Sequence, residues 1–317
     1  MNKTVIDLVG FGLNATDTLI SITDFPEAGS KANVHSLNVM PGGQVATAVV
    51  ACQRWGGRTR YIGKVGDDPA AEIHRSAFAE AGVEAQIITV PNCSSAQSHI
   101  LVDGRGERSV LWHRDPRLAV QPQELNREWI VNARALLVDG CDTAAATQAA
   151  TWIREAAGSV IADLDDVYPD VEKLLENIDY LIVSRDFPAR ISQQPDLPKA
   201  LQWLQSRFGS RLAAATLGTE GVLAWDGEQF CHAAAFRVPA IDTTGAGDIF
   251  HAGFIYGLLL GWSLARTLDF ACAAAALNCT AAGARGNIAS LEKIDELMAD
   301  GERYPASSEF RILSPEC

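Results

Sequence analysis

The chain has 317 residues and a formal net charge of −13, because 39 Asp and Glu residues outnumber 26 Lys and Arg residues. This charge argues against a nucleic-acid or anionic-membrane surface, although a local basic pocket for a phosphorylated ligand stays compatible with it. The N-terminal apolar run is too short for a signal peptide, and the apolar stretch at 249–262 is too short to span a bilayer. We therefore expect a soluble, cytoplasmic protein that binds neither nucleic acid nor membrane.

Short apolar runs predict buried strands, and segments of helical character separate them. The predicted strands are 5–9, 134–138, 160–162, 180–183 and 212–216; the predicted helices are 45–55, 70–81, 143–156, 171–176 and 197–208, followed by a mostly helical, alanine-rich stretch at 248–282. Strands that alternate with helices of about ten residues predict an α/β fold with a mostly parallel sheet between two helical layers.

Two segments break this alternation. Residues 17–40 alternate between apolar and polar side chains, and residues 98–113 have the pattern of a hairpin around Asp103 and Gly104. Such insertions predict a small antiparallel β lid over the carboxyl edge of the parallel sheet, where ligands bind in folds of this class. We accordingly divide the chain into a core, 1–12, 42–95 and 115–317, and a lid, 13–41 and 96–114.

Gly10, Gly12 and Ala15 follow the first predicted strand and fit the glycine pattern of dinucleotide-binding folds. That pattern also requires a helix to begin at once, because the helix N-terminus holds the pyrophosphate. The chain instead continues with β-branched, alternating residues and soon reaches Pro26. The sequence therefore disfavours an NAD site.

Gly42 and Gly43 precede a predicted helix of small residues. Two interpretations are equally compatible with this pattern. The pair forms a tight turn into a closely packed helix, or it lets backbone amides approach a polar ligand.

The segment DTTGAGDIF, residues 242–250, predicts a site for an anion. Gly245 and Gly247 lack side chains, so the N–H groups of residues 245–248 can converge at the positive end of a helix dipole. Asp248 would be repelled by a bound phosphate, which suggests that it takes the proton of an attacking hydroxyl. An Asp with an ordinary pKa of about 3.9 is a weak base, but the loose transition state of phosphoryl transfer tolerates one. An Asp that merely caps a core helix would leave the glycines unexplained.

The sequence DTTGAGDIFHAGF resembles the C-terminal signature of the PfkB/ribokinase family of sugar and nucleoside kinases. Three further segments resemble family motifs: GGQVATAVVACQRWGG, the glycine-pair signature; TLGTEGVLAW, the nucleotide-side loop; and AAAALNCTAAGARGNI, the segment that closes over adenine. Their order and spacing fit from Val5 to about Ile288. The resemblance implies a ribokinase-like, three-layer Rossmann-like core with a β lid, and Mg²⁺-dependent transfer of the γ-phosphoryl group of ATP to an alcohol.

The family motifs also imply roles for residues at matching positions. Asp248 is the base, and Gly245, Ala246 and Gly247 form the anion hole with it. The expected substrate residues are Asp17, Gly42, Gly43 and Thr47; the expected nucleotide residues are Ser184, Thr216, Gly218, Thr219, Gly221 and Cys272; and a monovalent cation, K⁺, is implied for some members at Asp242, Thr244, Asn278, Ala281, Gly283 and Asn287.

Three charged or polar residues have two interpretations each. Arg108, on the predicted hairpin, either reaches the transferring phosphate or the substrate when the lid closes, or is a solvated strand charge. Lys31 and Gln44, near the substrate loop, either bind an anionic or highly oxygenated sugar or are solvated.

Two departures from the family pattern affect the substrate and the phosphate site. Thr47 stands where the family has a sugar-side asparagine, which suggests that a hydroxyl pattern other than that of ribose is bound. Ser184 and Phe187 replace both polar residues of an Asn-x-x-Glu motif that organises magnesium and phosphate. This Ser-containing segment resembles the ketohexokinase and sulfofructose kinase branches.

We therefore expect a kinase for a small sugar or sugar acid, and a homodimer formed through the lid. The alternatives are a nucleoside kinase, in which Trp112 and Phe25 would contact a base, and a catalytically retired protein that senses sugar or nucleotide.

Overall fold

The computed structural model describes residues 5–104, 108–305 and 310, which form thirteen strands and ten α-helices. The strands are β1 Ile6–Phe11, β2 Ala15–Ile22, β3 Val34–Gly42, β4 Thr59–Val65, β5 Glu84–Thr89, β6 Gln97–Val102, β7 Arg108–His113, β8 Ala133–Asp139, β9 Ser159–Leu164, β10 Tyr180–Ser184, β11 Leu212–Thr216, β12 Val222–Trp225 and β13 Phe230–Ala233. The helices are α1 Gln44–Arg54, α2 Pro69–Ala81, α3 Arg127–Ile130, α4 Thr143–Glu155, α5 Val171–Leu175, α6 Phe187–Ser192, α7 Leu197–Phe208, α8 Ala246–Leu259, α9 Leu264–Asn278 and α10 Leu291–Asp300.

Nine strands form the core sheet, in the order β13-β12-β11-β10-β9-β8-β1-β4-β5. Seven neighbouring strands of this sheet, β11, β10, β9, β8, β1, β4 and β5, run parallel to one another. At one edge, β12 pairs antiparallel with β11 and β13 pairs antiparallel with β12. The predicted α/β class and mostly parallel sheet are confirmed. The sequence patterns identified β1 and β8 to β11 but missed β4, β5, β12 and β13.

Hydrophobic cores on both faces of this sheet produce the three layers. Leu8 contributes to the core under α1, α2, α8, α9 and α10, and its neighbour Val9 contributes to the core under α4, α5 and α7. Because successive strand side chains point to opposite faces, a strand buried on both faces must be apolar throughout. The continuous apolar runs that predicted these strands have this cause.

The remaining four strands form a second sheet, in the order β3-β2-β6-β7. We call this sheet the lid. The predicted hairpin pairing of β6 with β7 is confirmed, but the expectation of a wholly antiparallel lid is wrong, since β2 and β6 are parallel. Both strands enter the lid from the core, so they point in the same direction.

The division of the chain into core and lid segments stays a prediction.

None of the helices in the described part of the chain combines the length and the apolar character needed to cross a bilayer.

Candidate active site

The carboxyl ends of the parallel strands, the lid and the start of α8 enclose a cavity of 610 Å³. The lid contributes one face of its sheet: Asp17 is opposite Ser98, and Ser98 is opposite Trp112, so their side chains share that face. The other walls include Gly43 and Asp248. We call this space the acceptor cavity.

A second cavity, of 380 Å³, lies on the other side of the start of α8. It is lined by five of the residues expected to bind nucleotide, namely Thr216, Gly218, Thr219, Gly221 and Cys272, and by apolar groups that include Phe250 and Ala276. We call it the nucleotide cavity. Arg108, Thr243 and Gly247 line both cavities, so the two spaces meet at the first turn of α8.

The first turn of α8 has the geometry of an anion site. Gly245 is the N-cap, in the left-handed conformation with φ +76°, and a Cβ there would lie 2.2 Å from the Ala284 carbonyl oxygen. The first intrahelical bond is donated by Ile249 to Gly245. The four preceding N–H groups therefore have no partner within the helix, although that of Ala246 contacts the Thr243 carbonyl oxygen at 3.3 Å. A Cβ at Gly247 would meet no atom within 4 Å.

Burial, the carboxyl of Asp163 and, to a smaller degree, that of Asp17 together raise the pKa of Asp248 to about 8. His251 and Arg285 oppose this shift. Asp248 is therefore a much stronger base than the sequence suggested, because its surroundings and not its residue type set its proton affinity. A carboxyl with this pKa is suited to accept a proton near neutral pH.

A second buried carboxyl, that of Asp163, lies behind Asp248 at the end of β9. Its Oδ1 is 3.5 Å from the Gln44 amide nitrogen, and its Oδ2 is 3.4 Å from Nδ1 of His251. Burial raises the pKa of Asp163 well above its ordinary value, and Asp165 and Asp139 add to that effect. His251 is held between the carbonyl oxygens of Gly247, at 2.8 Å, and Ile182, at 3.2 Å.

The glycine pair makes room for Asp17. A Cβ at Gly42 would lie 1.9 Å from Oδ2 of Asp17, and Gly43 has φ +90° with no space for a Cβ beside the backbone of Asn14. Burial raises the pKa of Asp17 to about 6, against the lowering effects of the Ser98 hydrogen bond and of Arg285. The pair therefore forms a tight turn, and that turn shapes a polar wall of the acceptor cavity.

The residues expected to hold a monovalent cation lie in one hydrogen-bonded loop cluster. Asp242 accepts hydrogen bonds from the N–H groups of Thr244, at 2.9 Å, and Gly283, at 2.8 Å. Asn278 donates to the carbonyl of Thr244 and accepts from the N–H of Asn287, and the N–H of Ala281 donates to the carbonyl of Asn278. In the part of the chain that the structure describes, no group of three or more His, Cys, Asp or Glu side chains could hold a metal ion.

Comparison with known proteins identifies the family. The family model described as "pfkB family carbohydrate kinase" matches residues 7–291. The chain belongs to the pfkB family of carbohydrate kinases. It is 30% identical to an ATP-dependent ribose-1-phosphate kinase of Halopiger xanaduensis over 85% of this chain and 90% of that protein. It is also 30% identical to an aminoimidazole riboside kinase of Salmonella typhimurium, over 77% of this chain and 81% of that protein.

Solved structures show the same fold. A protein of Agrobacterium tumefaciens superposes with a TM-score of 0.86 at 27% identity, covering 93% of this chain and 98% of its own. The ribokinase of Arabidopsis thaliana, solved with ribose and ATP, gives a TM-score of 0.80 at 22% identity and covers 93% of this chain and 99% of its own. The predicted ribokinase-like fold is thereby confirmed.

Several residues discussed in the sequence analysis of this pfkB-family kinase lie away from the walls of the two cavities. Ser184 contacts the Asp165 carbonyl oxygen at 3.3 Å and does not line the nucleotide cavity. Phe187 is fully buried in the core, so it offers no polar group in place of the family's glutamate. Lys31 lies in the exposed loop between β2 and β3 and lines neither cavity. Thr47 is fully buried.

Sequence reasoning missed Asp163, His251 and Arg285. Asp163 stands in the run ADLDD after a predicted strand, where it reads as one of several acidic loop residues. Arg285 lies inside the segment that resembles the adenine-side motif, but nothing in its neighbours along the chain indicates that it points toward Gly42. Both placements depend on contacts between segments more than one hundred residues apart.

Proposed function

We propose that this carbohydrate kinase moves the γ-phosphoryl group of ATP to a hydroxyl of a small sugar or sugar derivative, with Asp248 as the base. The observation that carries the proposal is the position of the first turn of α8. Asp248 lines the acceptor cavity, and Gly247 lines both cavities. A hydroxyl beside Asp248 and a phosphate beside the residue 245–248 amides would therefore meet at the same helix end.

The division of labour follows from this geometry. The N–H groups at the start of α8 that have no partner within the helix stabilise negative charge on the transferring group, whereas Asp248 removes the hydroxyl proton. ATP fits the nucleotide cavity, whose apolar wall of Phe250, Cys272 and Ala276 suits a planar base. Mg²⁺, which the E. coli ribokinase II structure holds together with ATP, would supply positive charge to neutralise the phosphates. Binding of a K⁺ ion in the loop cluster around Asp242 stays a prediction. The assignment to a ketohexokinase-like branch of the family also stays a prediction.

A nucleoside acceptor is the second candidate, because Trp112 projects into the acceptor cavity from the lid. Its side chain is 74% exposed, and Ile100 and Val110 lie on the same face of the lid. An aromatic side chain free to stack on a ligand would suit a sugar with a planar substituent. Phe25, the other aromatic residue expected to contact a base, does not line this cavity.

An acceptor panel separates the candidates. We would measure ADP release with MgATP against ketoses, aldoses, sugar acids, ribose 1-phosphate and ribosides, and measure binding of a non-hydrolysable ATP analogue in parallel. Turnover restricted to free sugars would support the first candidate, and turnover restricted to ribosides the second. Nucleotide binding without turnover of any acceptor would instead support a sensor and contradict the proposed function.

Arg108→Ala is expected to lower kcat/KM about ten- to a hundredfold without changing Tm. Arg108 lines both cavities and its Nη1 lies 3.4 Å from the Thr244 hydroxyl, so its guanidinium can pair with the transferring phosphate. Loss of a hydrogen bond to a charged group typically costs about 1.5–3 kcal/mol. The matched control is Arg207→Ala on α7, away from both cavities. Equal kinetics for Arg108→Ala and the wild type would leave Arg108 as a solvated strand charge.

The outer face of the lid supports the proposed homodimer. Leu37, Val39 and Leu111 are 58%, 50% and 62% exposed, and strand pairing places them on the face opposite Asp17. Exposed apolar surface on a small sheet favours association. We expect Leu37→Glu to shift sedimentation toward a monomer, whereas Leu260→Glu, at the exposed end of α8, should not. A wild-type monomer at all concentrations would contradict the dimer.

A further inference from the structure

The three residues Gly283, Ala284 and Arg285 each contact a different part of the candidate active site. The Gly283 N–H donates to the carboxylate of Asp242 at 2.8 Å. The carbonyl of Ala284 packs so closely on Gly245 that a Cβ there would lie 2.2 Å away. Arg285 extends in the third direction, toward Gly42. One short segment therefore joins the start of α8 to the turn that forms the wall of the acceptor cavity.

The Arg285 guanidinium forms two hydrogen bonds across that turn. Its Nη2 donates to the Gly42 carbonyl at 3.2 Å, and its Nε donates to the hydroxyl of buried Thr47 at 3.3 Å. The planar fork of arginine holds two acceptors in a fixed relation, which lysine cannot reproduce. Since the two acceptors bracket Gly43, the side chain fixes the path of the chain from β3 into α1.

The same guanidinium is a buried positive charge near two carboxyls of the acceptor cavity. It lowers the pKa of Asp17 and that of Asp248. The other groups that act on this pair are Asp163 and His251 beside Asp248, and Ser98 and Asp242 beside Asp17; Tyr61, Arg54 and His74 face Arg285 itself. Burial lowers the pKa of Arg285 to about 10, while the carboxyls of Asp248 and Asp17 oppose that shift, so the side chain is still charged at neutral pH.

We propose that Arg285 is a positioning residue for the acceptor. Its hydrogen bonds hold the Gly42–Thr47 turn in a fixed position relative to the first turn of α8. Because Asp17 packs against Gly42, the position of the Asp17 carboxylate is fixed as well. Thr47 contributes by accepting a hydrogen bond from Arg285 rather than by contacting the sugar. The part of this inference that concerns the acceptor rests on the proposed function.

Kinetics of Arg285→Met and Arg285→Lys test the role. Methionine keeps the apolar stem and loses both hydrogen bonds and the charge, whereas lysine keeps the charge and one donor group. We expect Arg285→Met to raise KM for the best acceptor of the panel about ten- to a hundredfold and to leave KM for MgATP within about threefold. Arg285→Lys should lie between this variant and the wild type. The matched control, Arg127→Met, removes an exposed partner of Glu155 and should change neither KM.

Hydrogen exchange of the unliganded protein tests the same lock without turnover. Amides of residues 40–48 should exchange faster in Arg285→Met than in the wild type, while those of α7 are unchanged. Equal exchange at 40–48, an unchanged acceptor KM, or equal increases in both KM values would overturn the proposal. If the wild type turns over no acceptor, the proposed function fails, and the exchange comparison still decides whether Arg285 holds the turn.

Discussion

Asp248→Asn is expected to lower kcat about 10²- to 10⁴-fold while leaving binding of MgATP intact. Asparagine has nearly the same shape as aspartate but cannot take the hydroxyl proton. Its amide should therefore leave the backbone donors of residues 245–248 in place and remove only proton transfer. The measurement is single-turnover kinetics with the best acceptor, next to calorimetric binding of a non-hydrolysable ATP analogue.

The pH dependence gives an independent check on the same residue. Because burial and Asp163 raise the pKa of Asp248 to about 8, the wild-type kcat/KM should fall as the pH drops below about 8. The folded-state pKa lies above the unfolded value, so between about pH 4 and about pH 8 the Asp248 carboxyl ionises in the unfolded chain while it stays protonated in the folded protein. The free energy of unfolding therefore decreases as the pH rises through this range. Asp248→Asn should therefore increase Tm relative to the wild type more at pH 8 than at pH 4.

Two outcomes would contradict the base role of Asp248. One is a kcat for Asp248→Asn within tenfold of the wild-type value, and the other is a wild-type profile that is flat between pH 6 and 9. Asp295→Asn is the matched control, since Asp295 is exposed on α10. It should reproduce the wild-type kinetics and the wild-type change of Tm with pH.

The parallel core was predictable because its signal is local. The run 135–138 of β8 is continuously apolar since both faces of the sheet are covered, and the five helices that were predicted between strands begin and end within two residues of their predicted bounds. Short edge strands carry less signal: β12 and β13 have four residues each and follow a turn whose glycine motif dominates the pattern. The parallel pairing of β2 with β6 joins segments about eighty residues apart, so no hairpin rule reaches it.

The candidate site was predictable only where chain neighbours carry the chemistry. Gly245 to Asp248 are consecutive, and their order alone indicates an anion site next to a base. The pKa of Asp248 could not be predicted from its chain neighbours. Asp163 raises this pKa and Arg285 lowers it, and both residues come from other segments of the chain. The expectation that Asp248 is a weak base was therefore wrong, because it assumed an ordinary, solvated carboxyl and not the buried one that the structure shows.

Gly245→Ala and Gly247→Ala are expected to have opposite effects on stability although the residues are two positions apart. Gly245 has φ +76°, and an added Cβ would lie 2.2 Å from the oxygen and 2.6 Å from the Cα of Ala284. A left-handed conformation costs an ordinary residue roughly 1–2 kcal/mol, and the clash with backbone adds to that cost. Gly247 lies in ordinary helix with no atom within 4 Å of an added Cβ, so alanine there should stabilise α8 by roughly 0.5–1 kcal/mol.

The consequences for activity follow from what Gly245→Ala must displace. Ala284 cannot retreat freely, because Gly283 is bonded to Asp242 and Arg285 to Gly42 on either side of it. The first turn of α8 must move instead, which misaligns the N–H donors and should lower kcat about 10²- to 10³-fold, the typical cost of one lost anion-hole donor. Calorimetric unfolding and kcat for the two variants decide the matter. Equal Tm changes would show that the left-handed N-cap and its contact with Ala284 do not fix the anion site.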